Sequence, residues 1–353
     1  MVVKAIKHRL LVISIVLVLF ASAAAAELDI IFLNVGQGDC TIVICDGEVM
    51  IVDGGPPSAS SSLYSLLRET PSLTSIRYVV ATHPHDDHVG GLPAVLNAVQ
   101  VDAIMTPVLD WDSRAFSALL EYAGLQGTPV FVPNDGDIYS LGGAEVEVLS
   151  CWPDAWIVND MSICLRISYG DVSVILMGDA EYMTEYTILT YYPDLHADVL
   201  KAGHHGSSNS STSDFVSTVS PRYAVISCGE GNTYGHPNRE VLDVYLEVGA
   251  EVFRTDLQGT IVMMTDGHEI SWRTERQATA DELFAAPLDS VMGDVRMMIE
   301  DEEIAYVGNK NTHRFHDPSC PSVVEMRPEN RVTFSTREEA IDEGYLPCGR
   351  CNP

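Results

Sequence analysis

Apolar positions along the chain come in short, β-branched runs separated by glycine-rich turns. Residues 28–35 (LDIIFLNV), 41–45 (TIVIC) and 48–53 (EVMIVD) predict three strands joined by tight connections. At 60–68 the period changes, and Leu63, Leu66 and Leu67 fall on one helical face. The run 76–81, interrupted only by Arg77, reads as a buried strand, and Gly90 and Gly91 precede a helix over 92–99. Further strands are predicted at 103–107, 129–132, 144–149, 161–168, 172–177, 197–201, 223–227, 251–254 and 259–264. Helices are predicted at 113–123, with Phe116, Leu119, Leu120 and Ala123 inward, and at 182–191 and 239–247. Strands mixed with helices in two similar halves suit two sheets packed face to face with helices outside.

Both ends depart from this pattern. Lys4, Lys7 and Arg9 precede an apolar run over 10–20 and then a string of small residues, the order of a secretory leader. Residues 1–26 are therefore expected to be removed, leaving a secreted or surface-held protein with no membrane segment. The alternative, an uncleaved anchor, has a short apolar run for a full span. Residues 274–303 lose any period and gather acid, including Asp281, Glu282, Asp289 and Glu300–Glu303's acidic string, which predicts a linker with one helical turn around Leu283. Residues 304–353 read as a separate small unit.

A length of 353 residues allows one large domain, here 27–273, and a small one. The formal net charge of −30 changes the functional picture more. So acidic a surface does not draw nucleic acid in by long-range steering. That weighs against a high-affinity DNA binder, though not against a metal-centred phosphodiesterase with a local groove. Of eight cysteines, Cys40, Cys45, Cys151, Cys164 and Cys228 lie in the large part, so at least one there stays unpaired.

The candidate chemistry begins in VVATHPHDDHVGG, residues 79–91. His83, His85, Asp87 and His88 occupy six positions at a strand end, a set that is expensive to hold together unless a cation collects it. Imidazole nitrogen with carboxylate oxygen is a ligand set for zinc, or for manganese and iron at the harder end.

The pattern H-x-H-x-D-H after an apolar strand resembles the metallo-β-lactamase superfamily. NVGQGDC (34–40), IVDGG (51–55), LMGDAE (176–181), KAGHHGSS (201–208) and NTYGHP (232–237) narrow the resemblance to the hydrolase domain of the ComEC competence proteins and its free-standing secreted relatives. It implies an αββα sandwich holding two divalent metals, Zn or Mn. Carried over by position, His83 and His85 take one metal, Asp87 and His88 the other, and Asp179 bridges them. Of His204 and His205 one should ligate, His205 by preference, leaving the other for substrate; His236 is a ligand or a donor to the leaving oxygen. Asp53 should hydrogen-bond a ligating imidazole, and Lys201 and Ser207 are candidate phosphate contacts.

One departure stands out: no histidine occurs from Val89 to Gly178, between His88 and Asp179, where most members of the family place another ligand for the first metal. The substitute is NDMS, 159–162, through the amide oxygen of Asn159 or the carboxylate of Asp160. The tail resembles the zinc-binding domain of the Ada DNA-repair protein, which implies one structural zinc on His316, Cys320, Cys348 and Cys351. A disulfide among these cysteines is the alternative.

Two metals lower the pKa of a shared water and clamp the attacking and leaving oxygens of a displacement. The expected activity is a phosphodiesterase, foremost a nuclease acting on DNA, with Asp87 orienting the nucleophile and His236 or His204 serving the leaving oxygen. The alternatives are hydrolysis of a small ester (a phosphocholine ester, lactone or lactam) and a non-catalytic metal-binding surface module.

Overall fold

Two mixed β-sheets, each covered on its outer face by helices, make up the large unit of this computed structural model. The residues described are 27–70, 73–287, 306–316, 323, 326, 330–334, 336–348 and 351; the expected leader and Cys320 lie outside them. The chain divides into two units between Ser290 and Val291.

The first sheet has eight strands in the order Ile270–Thr274, Ile261–Thr265, Leu28–Phe32, Thr41–Cys45, Glu48–Val52, Ser75–Val80, Gln100–Met105, Val130–Phe131. The second has seven, in the order Glu251–Arg254, Tyr223–Ile226, Val199–Lys201, Val172–Leu176, Cys164–Tyr169, Ala144–Ser150, Ile138–Leu141. Alternation assigns the faces. Ile30, Phe32, Val43 and Met50 point into a core shared with Val146, Leu165, Ile167 and Val174 of the other sheet. Their neighbours Ile31, Ile42 and Ile51 point outward, under the helices carrying Leu63, Leu67, Leu92 and Phe116. On the far side, Ile175, Leu200 and Ile226 are covered by Phe215, Leu242 and Tyr245. Three apolar layers between four layers of structure give the αββα sandwich.

Ser75–Val80 runs parallel to Glu48–Val52 and Gln100–Met105, and Val199–Lys201 runs parallel to Val172–Leu176 and Tyr223–Ile226. The loops that leave their carboxyl ends meet at one edge of the sandwich, the place where open parallel sheets gather ligands.

Several elements differ from the sequence expectation. The strand expected at 161–168 forms but begins later, at Cys164–Tyr169, and a 3₁₀ turn, Val158–Met161, precedes it. Side-chain bonds to Asp160 hold that turn, and no periodicity announces them. The helix Ser213–Val219 and the strand Ile270–Thr274 were not expected. The linker begins later than 274. Thr279 and Glu282 form a capping box on the helix Ala280–Leu283, and Phe284 and Ala286 lie against the core of the second sheet. Arg254, buried beside Asp256, donates to the carbonyls of Leu283 (3.1 Å) and Ala285 (2.6 Å) and fastens this segment down.

The small unit has a four-stranded sheet in the order Arg331–Phe334, Tyr306–Asn309, Arg314–His316, Leu346–Pro347, with the helix Arg337–Asp342. Its apolar clusters are small, Phe315, Phe334, Ala340 and Tyr345 in one and Val307, Val323 and Cys348 in the other. A core of this size calls for a staple. Among the described residues no helix is long and apolar enough to cross a membrane.

Candidate metal centre

His83 and His85 leave the end of Ser75–Val80 in extended chain, and the four-residue helix Asp86–Val89 then turns Asp87 and His88 back toward them. Glycine makes this turn fit. A Cβ on Gly91 would strike the carbonyl of Gly54, and one on Gly38 the carbonyl of Asp87. Asp179 follows Val172–Leu176, and His204 and His205 follow Val199–Lys201 with φ of +46° and +56°. Asp53, at φ +60°, shares this left-handed region, which residues other than glycine occupy at a cost and mostly where function demands it.

Asp179 stands at the centre. Its Oδ1 lies 3.1 Å from His88 Nε2, and its Oδ2 lies 3.7 Å from His83 Nε2, 3.5 Å from His205 Nε2 and 3.9 Å from His204 Nε2. His83 Nε2 faces His85 Nδ1 at 2.9 Å, and Asp87 Oδ2 lies 3.3 Å from His205 Nε2. Two donor sets result: His83, His85 and Asp179; and His88, Asp179 and His205 with Asp39. Within each, the donor atoms lie within 4.8 Å of one another. Asp87 joins the second set through its contact with His205.

The chemistry of these atoms fits cations. His88 Nε2, His205 Nε2, Asp179 Oδ1 and Asn159 Oδ1 are buried and have no hydrogen bond. Each such atom left unsatisfied costs about 1–3 kcal/mol, so their convergence is stable only around something positive. Without it, protons take that place: burial disfavours a charged ring at His88 and His205, but Asp179 and the other carboxylates outweigh it. His88 is held well above the usual imidazole range and His205 is pushed up to about 10. Burial and the charge of His88 keep His83 neutral. The same cationic rings hold Asp179 far below the carboxylate range despite its burial.

The other ring nitrogens are fixed from behind. His88 Nδ1 meets Asp53 Oδ2 at 2.7 Å, while Asp53 accepts from Thr82 N (2.8 Å) and Thr82 Oγ1 (2.7 Å). His205 Nδ1 meets the carbonyl of Ser227 at 2.9 Å and Asp39 Oδ1 at 3.3 Å. His83 Nδ1 lies 3.2 Å from Thr82 Oγ1. Outer partners of this kind set the tautomer and aim the free nitrogen inward.

Asn159, and not Asp160, turns toward the cleft. Its amide nitrogen donates to Glu181 Oε1 at 2.8 Å, and its carbonyl oxygen is buried without a hydrogen bond. Asp160 points the other way and accepts from Glu181 N and Thr184 Oγ1. His204 Nδ1 also lies 3.3 Å from Glu181. The resulting cleft, about 270 Å³, is lined by Gln37, His85, Asp87, Asn159, Asp179, His204, His205, Tyr234 and His236. Burial, with the neighbouring His204 and His205, lowers the His236 imidazole to about 4.

Two expected contacts with substrate are corrected. Lys201 is only 2 % exposed, ion-paired with Asp39 and donating to the carbonyl of Ala202. Ser207 is buried, its hydroxyl accepting from Asn209 N. Neither reaches the cleft. Asp39, Glu181, Gln37 and Tyr234 were not singled out from the sequence, although all four lie inside the quoted motifs NVGQGDC, LMGDAE and NTYGHP, where only their position marks them.

Cys40, Cys45, Cys151, Cys164 and Cys228 are free thiols, all buried. In the small unit, donor atoms of His316, Cys348 and Cys351 lie within 4.8 Å of one another, and His316 Nδ1 is buried with no hydrogen bond. Three such donors suit one zinc; the expected fourth, Cys320, is outside the described residues.

Sequence comparison agrees with this division. Residues 300–353 match the metal binding domain of Ada. The chain is 31% identical over 255 residues to ComE operon protein 3 of Bacillus subtilis, covering 67% of this chain and 33% of that protein. It is 28% identical over 238 residues to Recombination protein 2 of Haemophilus influenzae, covering 65% of this chain and 28% of that one. The chain thus spans about a third of the length of these relatives. Among solved structures, the metallo-beta-lactamase fold protein YhfI from Bacillus subtilis superposes with a TM-score of 0.47 at 13% identity, over 67% of this chain and all of that one. Residues 33–230 match the Metallo-beta-lactamase superfamily, and the chain belongs to it.

Proposed function

We propose that this protein is a metal-dependent phosphodiesterase that acts on DNA outside the cell. The observation that carries the reading is the convergence on Asp179 of buried, unsatisfied donors from four separate loops, open to a cleft on one side. Two divalent metals, zinc or manganese, would be held by His83, His85 and Asp179 and by His88, Asp87, His205 and Asp179, with Asn159 completing the first set. When bound, they supply an activated water and positive charge for the leaving oxygen.

The chain's own groups do the remaining work. Asp87, part-exposed and kept ionised by His205 and His88, is placed to accept a hydrogen bond from the attacking water. His204, with Nδ1 at the Glu181 carboxylate, presents Nε2 toward the cleft and can donate to a departing oxygen. His236, buried and neutral, is the second candidate for that donation. DNA as substrate is supported by the similarity to proteins named Competence protein ComA (Neisseria gonorrhoeae) and Recombination protein 2.

A second reading, hydrolysis of a small ester, draws on one feature: no Lys or Arg is among the residues lining the cleft. Zinc- and manganese-loaded protein assayed against linear DNA, bis-p-nitrophenyl phosphate, a phosphocholine ester and nitrocefin separates the readings. DNA cleavage abolished by His85→Ala with Asp87→Ala is the expected result; turnover of nitrocefin or the choline ester without DNA cleavage would overturn it.

A further inference from the structure

Two planar side chains that line the cleft, Asn159 and His204, can each be turned over without changing shape. An amide offers a neighbour its oxygen or its nitrogen, and an imidazole carries its proton on either nitrogen. The choice matters at both positions. Only the amide oxygen of Asn159 can meet a cation, and the His204 nitrogen left free is the one that serves a substrate. Glu181, on the loop that carries Asp179, is in contact with both and is itself buried.

Glu181 Oε1 accepts from Asn159 Nδ2 at 2.8 Å and lies 3.3 Å from His204 Nδ1. Asn159 Nδ2 and His204 Nδ1 are 3.3 Å apart, two donors converging on one acceptor. Burial works against a charge on Glu181, but the bonds from His204 and Asn159 outweigh it and hold the carboxyl below its usual range. An ionised carboxylate only accepts. The nitrogen of Asn159 must therefore face it, which leaves the amide oxygen as the buried atom without a hydrogen bond. By the same rule His204 carries a proton on Nδ1, while its Nε2 lies 3.9 Å from Asp179 Oδ2. Holding the two loops together does not need this side chain. The main chain already does so, with Glu181 N donating to Asp160 Oδ1 at 3.0 Å and Glu185 N to the Glu181 carbonyl at 3.1 Å. We infer that Glu181 is a positioning residue, one acceptor that sets the Asn159 oxygen as a ligand for the first metal and the His204 ring for the leaving oxygen. The inference rests on the phosphodiesterase reading of the cleft.

The test is Glu181→Gln in the full chain. Glutamine keeps the shape and the main-chain bonds but donates as well as accepts, so neither neighbour is held one way round. Calorimetric titration with zinc is expected to show one of the two sites weakened by about tenfold or more. Adding Glu181→Gln to Asn159→Ala should weaken zinc no further, since nothing at that site is then left to orient. The loaded variant is also assayed on two diesters. Linear DNA expels an alkoxide that needs a proton, whereas bis-p-nitrophenyl phosphate expels a phenolate that needs none. Its kcat on DNA should fall about tenfold further than its kcat on the phenyl ester, with KM nearly unchanged. Wild-type zinc affinity in the single variant, additive losses in the double variant, or two rates falling by one factor overturns the inference. Should the unsubstituted protein load zinc and hydrolyse neither diester, the phosphodiesterase reading fails, and the two zinc comparisons alone decide the role of Glu181.

Discussion

Asp53 Oδ2 lies 2.7 Å from His88 Nδ1, and the same carboxylate accepts both hydrogen bonds that Thr82 offers. A single buried side chain from one strand end thus fixes the ring and the chain entry of the loop bearing His83, His85, Asp87 and His88. Asp53→Ala is expected to weaken metal binding by about 10–100-fold, with Asp53→Asn in between. Isothermal titration with zinc reads this directly, and an unchanged affinity would show that His88 needs no such support.

Metal removal should also loosen the fold. The buried atoms His88 Nε2, His205 Nε2 and Asp179 Oδ1 then have only each other and protons as partners. A ligand that binds only the native state stabilises by roughly 2.7 kcal/mol at a hundred times its dissociation constant. Chelation is therefore expected to lower the melting temperature by several degrees, and zinc in excess to restore it. Identical melting curves with and without chelator would count against a structural share for the ions.

Much of this edge was legible before any coordinates. His83, His85, Asp87 and His88 sit within one turn-length of a strand end, and Asp179 follows an apolar run, so type and spacing together place them. The roles of Asp39 and Lys201 were not legible. A lysine after Val199 and Leu200 reads as a strand-end cation free to meet phosphate, and only the tertiary pairing of two segments far apart in sequence buries it against Asp39. Glu181 was hidden similarly, since its bonds reach Asn159 and His204 across the sheet. The late start of the linker turns on Arg254, whose carbonyl partners Leu283 and Ala285 lie far along the chain.

That latch gives a third prediction. Arg254→Ala leaves Asp256 buried without its ion pair and strands two carbonyls. Breaking a buried pair from one side costs about 3–5 kcal/mol, so a drop of roughly 10 °C in melting temperature is expected. Limited proteolysis should cut first between 275 and 287. A variant as stable and as resistant as wild type would mean the segment is held by Phe284 and Ala286 alone.

Asp29 supplies a pH test remote from the metals. Burial in its strand, with Glu27 adding to it and Arg273 opposing, raises its carboxyl from 3.8 to about 6. The folded state therefore holds the proton more tightly than the unfolded chain. Its favourable contribution is complete below about pH 3.8 and is lost as the pH rises through 6. Asp29→Asn should melt higher than wild type at pH 7.5 and show no such gain at pH 4. An equal difference at both values would contradict the assignment.

The most direct measurement is an anomalous difference map at the zinc edge from crystals of the zinc-loaded chain. Two peaks are expected, one among His83, His85 and Asp179 and one among His88, Asp87, His205 and Asp179, with the Asp179→Ala variant losing at least one. A wild-type map empty on both sides of Asp179 would contradict the dimetal centre and the chemistry built on it.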